Sequence, residues 1–289
     1  MIYHYTSIEG LLGILSSCAL WASDPLYLND AQELIHGANL IRSLIDPDGA
    51  PSDRSKGALA STPIEALKRL RSEIDTRYPT SGEVQTFHED EIYLVSFTEV
   101  QDSLDMWRGY APGRGFCIGF DEGTLLQACN VQSDEEAFET FHLAPRESLS
   151  LWQSHIGLDH SIVRVSYAES EFMDEIQRVC SQIKPAYIPR LSTSLAAIKD
   201  PAFKSEQEVR LIVNPTGDLS PRISLRTSPT NLVPYIPLEF PHAAIKSIMV
   251  GPGPYAERSR RSLEAYFSDG MRGEWSHVDL RLSSVPYIG

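Results

Sequence analysis

The sequence is poor in the features that mark several protein classes. It has 4 cysteines in 289 residues (Cys18, Cys117, Cys129 and Cys180) and no CxxC pair. That excludes a disulfide-stapled miniprotein and a cysteine-based zinc module, and leaves buried thiols in a reducing compartment. No apolar run reaches bilayer-spanning length, and Met1-Ile2-Tyr3-His4 is not a basic, apolar leader. A cytoplasmic protein without membrane attachment is therefore expected. Positive charge is also scarce: 25 Lys and Arg stand against 39 Asp and Glu, a formal net charge of −14. Such a field repels nucleic acid and favours a protein or small molecule as partner. There is no GxxxxGK[ST] phosphate loop, no GxSxG elbow and no HExxH zinc helix, so three common kinds of active site are excluded. What remains is ordinary: 42% hydrophobic and 22% charged residues, the balance of a globular domain.

Periodicity divides the chain. Ile2–Thr6 reads as a strand, and Thr6 with Glu9 has capping-box spacing before the helical stripe Ile8, Leu11, Leu12, Leu15. Asp30 with Glu33 opens a second helix through Ile45, and Thr62-Pro63 a third through Ile74. The stretch between them, to about Ser61, reads as a surface linker. Strands are expected at 92–98, 115–120, 162–167, 206–213, 223–226, 233–238, 245–250 and 278–282. Phe116, Ile118 and Phe120 alternate with Cys117 and Gly119, a half-buried pattern. An acidic helical region is expected from Glu122 to His160, another from Ala168 to Asp200, and a helix from Tyr255 to Phe267. The fold class is α+β: one domain, 1–289, with a helical insertion at 122–201.

Few residues invite chemistry. If 206–213 is a strand, Glu206, Glu208 and Arg210 share one face. Two carboxylates so placed suit charge stabilisation and acceptor activation. The plain alternative is a solvated strand start with Glu208 paired to Arg210. His4 on the first strand suits a ribose hydroxyl, or is simply packed. Asn29 lies in a polar cluster that a ligand could contact. Trp107 and Arg108 suit stacking on and clamping a nucleotide, or the ring belongs to the core. Gly251-Pro252-Gly253-Pro254 follows a strand and precedes a helix, but its prolines remove the N–H donors of a phosphate-binding turn. It reads as structural.

In order, Tyr3-His4-Tyr5-Thr6, Tyr27-Leu28-Asn29-Asp30, Ser96-Phe97-Thr98-Glu99, Met106-Trp107, Gly115–Phe120 and Glu206–Ile212 resemble an uncharacterised bacterial domain family. The opening strand and helix, with Glu206-Gln207-Glu208, are similar to the ADP-ribosyltransferase superfamily. That resemblance implies a split β-sandwich with peripheral and inserted helices. It implies NAD as substrate, no metal, and transfer of ADP-ribose by a bacterial toxin or antiphage defence effector associated with defence or antitoxin partners. Glu208 would stabilise an oxocarbenium-like ribose and Glu206 would orient the nucleophile. His4, with Tyr5 and Thr6, would hold a ribose. Ser96 would supply the middle motif, and Tyr27 or Phe97 would stack on nicotinamide. NAD hydrolysis and a catalytically inactive nucleotide sensor are the alternatives.

Overall fold

The computed structural model describes residues 1–27, 31–78, 92–112, 115–129, 157–183, 191–216, 223–228, 231–268 and 273–286. Asn29 and Asp30 lie outside them, as does the side chain of Glu33. Ten strands form one mixed, mostly antiparallel sheet: β1 (Ile2–Thr6), β2 (Ala19–Ser23), β3 (Tyr93–Thr98), β4 (Phe116–Phe120), β5 (Gly157–Arg164), β6 (Glu208–Thr216), β7 (Ser224–Thr227), β8 (Leu232–Glu239), β9 (Ile245–Val250) and β10 (Asp279–Leu282). The principal order is β10-β9-β4-β1-β3-β2-β8-β7, with β6 on β3 and β5 on β6. Helices are α1 (Ile8–Ser17), α2 (Ala31–Leu44), α3 (Ile64–Arg77), α4 (Leu104–Tyr110), α5 (Glu122–Cys129), α6 (Glu169–Gln182), α7 (Leu191–Leu195) and α8 (Ala256–Ser268).

The centre of the sheet is β3. One edge pairs with β6 over all six of its residues, from Tyr93↔Val213 to Thr98↔Glu208. The other edge is shared: β1 meets it only at Tyr3↔Thr98 and β2 only at Ser23↔Leu94. The two strands therefore part beside the middle of β3. His4 fills that opening, its Nδ1 3.0 Å from the Ser96 carbonyl oxygen. A carbonyl only accepts, so Nδ1 carries the hydrogen.

One face of the sheet is continuously apolar. Ile2, Val95, Phe97, Val209, Leu211, Ile118, Phe120 and Ile248 are buried there under Leu11, Ile14 and Leu15 of α1, Leu125 of α5 and Leu263 and Phe267 of α8. The opposite face carries two smaller cores. In the larger, Leu94 and Ile212 pack under α2, α3, α6 and α7 through residues such as Ile41, Leu70, Ile176 and Leu195. In the smaller, Tyr5, Cys117 and Met249 pack against Met106 and Trp107 of α4 and Ala111 just after it. Between them β6 presents Arg210 and Glu208, opposite Ser96 and Thr98.

Local structure departs from the sequence reading at several points. Ser7, not Thr6, caps α1, accepting from the Gly10 amide at 3.1 Å; Ser7 is the residue in extended conformation just before the first helical turn. The 46–61 stretch is anchored rather than a loose linker, since Ser55 and Leu59 are fully buried and the Ser55 hydroxyl donates to the Leu44 carbonyl. Residues 157–160, expected to be helical, belong to β5, where pairing to β6 overrides the acidic local composition. The expected insertion is thus not wholly helical. Its helices α6 and α7 share a core with α2 and α3. Phe116–Phe120 is buried on both faces rather than one. β2 was not foreseen, because a five-residue strand directly after a helix leaves almost no periodic signal.

Candidate functional site

Buried charged side chains gather where the chain turns into β6. Asp200 accepts from the Ala202 amide at 2.8 Å and Pro201 follows, which starts a 3-10 turn over Pro201–Glu206. Gln207 then adopts a left-handed conformation, φ 42°. The Thr98 hydroxyl donates to the Glu206 carbonyl at 2.5 Å, and the Glu99 amide to the Gln207 carbonyl at 3.1 Å. The strand begins only at Glu208. This corrects the expectation that Glu206 and Glu208 share one face of a single strand. The reversal at Gln207 brings both carboxylates to a single cation instead.

That cation is Lys199. Its Nζ lies 2.8 Å from Glu206 Oε2 and 2.9 Å from Glu208 Oε2, with its side chain 2% exposed. The backbone fixes it: Lys199 donates its amide to the Ser166 carbonyl at 3.1 Å, beside a bridge between Ser166 and Ile198. Arg210 grips Glu208 from the other side through Nε (2.8 Å) and Nη2 (2.9 Å), a fork-on-carboxylate arrangement. Its Nη1 donates to the Ala196 carbonyl at 2.7 Å. The amide of Glu208 is 2.9 Å from the Tyr167 hydroxyl. Lys199, Arg210, Glu206 and Glu208 thus form a chain of two cations and two anions.

Burial grades along this chain. Arg210 and Glu208 keep 2% and 5% of their side-chain exposure, Glu206 keeps 14%. Burial alone would raise the Glu208 carboxyl, but Arg210 and Lys199 outweigh it and hold the group below its ordinary value of 4.5. The expected solvated pair between Glu208 and Arg210 is real but buried, so removing either partner strands a charge. At the open end, the Tyr110 hydroxyl of α4 donates to Glu206 Oε1 at 2.8 Å. Tyr110 and Phe203 are 43% and 45% exposed, and Lys199 Nζ sits 5.0 Å from the Phe203 ring centre. Glu206 therefore meets the Tyr110 hydroxyl on one oxygen and Lys199, which lies over the Phe203 ring, on the other.

The other expected site residues scatter. Paired residues of an antiparallel ladder share a face, so Tyr3, Thr98 and Glu208 point one way. His4 and Phe97 point the other, and their rings meet at 5.8 Å. His4 is thus across the sheet from Glu208, not beside it. Burial outweighs its bond to Ser96 and keeps the imidazole neutral, below 6.5. Phe97 and Trp107 are 2% and 3% exposed; as core rings they offer no stacking surface, which corrects that expectation. Trp107 donates to Asp102 at 2.8 Å and lies edge-on to Tyr5. The Tyr5 hydroxyl donates to the Gln101 carbonyl at 2.7 Å. Thr6 packs over Gly10, where a Cβ would come within 2.0 Å of its hydroxyl. Ser96 shares the face of Arg210, while Tyr27 and Arg108 are exposed. The Gly251 turn is structural, as expected: its amide donates to the Gly115 carbonyl at 2.9 Å, and a Cβ there would stand 3.0 Å from the Trp107 ring.

Lys199, Tyr110 and Tyr167 were missed. The only trace of Lys199 in the sequence is a lone cation closing the run Leu195-Ala196-Ala197-Ile198. Among the described residues, no group of three His, Cys, Asp or Glu side chains could hold a metal ion, and no helix is long and apolar enough to cross a membrane.

Residues 106–211, well under half of the chain, match the family model DUF2971, described as a protein of unknown function. The matched stretch runs from α4 into β6 and contains every side chain of the ionic chain. Comparison with curated proteins finds no match, and comparison with solved structures finds none either.

Proposed function

We propose that the protein is a NAD-consuming ADP-ribosyltransferase whose working carboxylate is Glu206. The observation that carries this reading is the pair of carboxylates on Lys199, the more exposed of which also accepts from the Tyr110 hydroxyl. Tyr110 and Phe203, exposed rings that each touch the ionic chain, suit contact with a flat heterocycle such as nicotinamide. Breaking the nicotinamide–ribose bond sends its electron pair to nicotinamide and leaves positive charge on the ribose. A fixed, partly desolvated carboxylate stabilises that charge, and Glu206 then takes the proton of the attacking nucleophile. Glu208, saturated by Arg210 and Lys199, positions Lys199 and through it Glu206. The parting of β1 and β2 beside β3 supports the split-sheet fold that goes with this activity. The acceptor is a protein or small molecule, in keeping with the net charge of −14. A role in toxin action or antiphage defence rests on resemblance alone.

Incubation with labelled NAD and lysate tests the reading. The wild type transfers label, and Glu206→Gln lowers the rate about a hundredfold or more while the variant stays folded. A Glu206→Gln variant as active as the wild type removes the mechanism. Nicotinamide release without labelled product identifies water as the acceptor. One observation favours a second reading, a nucleotide-binding module without turnover: both oxygens of Glu208 are already held by cations.

A further inference from the structure

A second polar cluster lies away from Glu206, on the wing formed by β2, β8 and β7. Ser23 pairs with Tyr235, and Tyr235 with Ser224, so all three share a face. Trp21 and Arg226, two residues along their strands, point the same way. Trp21 and Tyr235 stack with ring centres 4.5 Å apart and 28° between planes, and Trp21 is 48% exposed. Beside them Arg226 is half-buried. Among the described residues its Nε and Nη2 reach the Ser23 hydroxyl, both at 3.4 Å. Among the described residues no carboxylate forms an ion pair with Arg226, whereas Arg42, Arg71, Arg164, Arg178, Arg210, Arg260 and Arg281 each have one. Burial lowers the pKa of its guanidinium, which is the sign of a cation desolvated without an anion.

The geometry points to a nucleoside monophosphate site here: the phosphate binds the Arg226 guanidinium, which the buried Ser23 hydroxyl holds in place, and the base stacks on the exposed Trp21 ring. A guanidinium fork matches phosphate oxygens, and an indole face accepts any purine or pyrimidine ring. The partner is a small ligand rather than a polyanion. A single arginine on a chain of net charge −14 cannot offset repulsion of RNA, DNA or an anionic membrane. The cluster shares the face of Ser96, Thr98 and Glu208 through the register Ser23↔Leu94 and Thr98↔Glu208. It contains none of the ionic chain, so it does not depend on the transfer reading.

Calorimetric titration of the full chain with AMP, adenosine and inorganic phosphate tests this. AMP binds the wild type. Arg226→Ala weakens AMP about tenfold or more, the loss of a charged bidentate contact, and leaves adenosine unchanged. Trp21→Ala weakens both AMP and adenosine about tenfold and leaves inorganic phosphate unchanged. The melting temperature of each variant stays at the wild-type value, because both side chains are partly exposed. Absence of AMP binding to the wild type overturns the proposal, and so does an AMP affinity that neither substitution alters. Glu206→Gln retains full AMP affinity. A chain that binds AMP in this pattern but transfers no ADP-ribose keeps this site and loses the transferase reading. A chain that transfers but binds AMP independently of Arg226 and Trp21 does the reverse.

Discussion

The two faces of the sheet bury similar strands in different ways. On one, residues from β1, β3, β4, β6 and β9 merge into a single apolar layer. On the other, the same strands support two separate cores with polar side chains between them. The seam exists because four side chains interrupt the apolar pattern of β3 and β6: Ser96, Thr98, Glu208 and Arg210. A continuous core gains stability from burial alone. A seam must satisfy every polar group it hides, and its groups then stand fixed and partly dry, which is the state that chemistry needs.

The largest test of this contrast is a cycle at the seam set against a truncation in the continuous core. Ile118→Ala removes a fully buried side chain and costs about 2–5 kcal/mol. Arg210→Met costs about 3–5 kcal/mol, because it leaves Glu208 buried with one cation fewer. Glu208→Met with Arg210→Met costs much less than Arg210→Met alone, since the pair leaves together. Chemical denaturation of the wild type, Ile118→Ala, Arg210→Met, Glu208→Met and the double variant measures this. A double variant as unstable as the sum of the singles shows that the seam is held by something other than this pair.

Acid separates the faces next. The folded pKa of Glu208 lies below its ordinary 4.5, so the stability it contributes is complete above that value and disappears as pH falls through the folded pKa. Stability measured from pH 7 downward therefore drops below about pH 4.5, and the drop is shallower in Glu208→Gln. Equal slopes place the acid loss elsewhere. The smallest effect concerns the far end of the seam. Asp102 accepts from Trp107, from the Ser283 hydroxyl at 2.6 Å and from the Ser284 amide and hydroxyl, both at 2.8 Å. It thereby ties the segment after β10 to α4. Asp102→Ala costs about 2 kcal/mol and exposes residues after Leu282 to proteolysis. A tail as resistant as in the wild type removes that role.

Much of this architecture is legible in the sequence because it is local. Eight of the strands and the helices α1, α3 and α8 follow from alternation or from a three-to-four-residue stripe. The capping signal at α1 was displaced by one residue because Thr6 and Ser7 both suit the position, and only backbone conformation separates them. Glu206, Glu208 and Arg210 stood out by residue type. Their real relation did not, since one left-handed residue between the two glutamates replaces strand alternation by convergence.

By itself the sequence determined an α+β chain, a core drawn from alternating strands, and a net charge of −14. Each of these is a sum or a short period, readable without knowing which strands meet. Tertiary structure decided the rest. It put His4 across the sheet from Glu208, sealed Phe97 and Trp107 into cores, and brought Lys199 from a loop to two carboxylates. Those placements depend on register and on backbone hydrogen bonds between segments distant in the chain, and no local pattern records them.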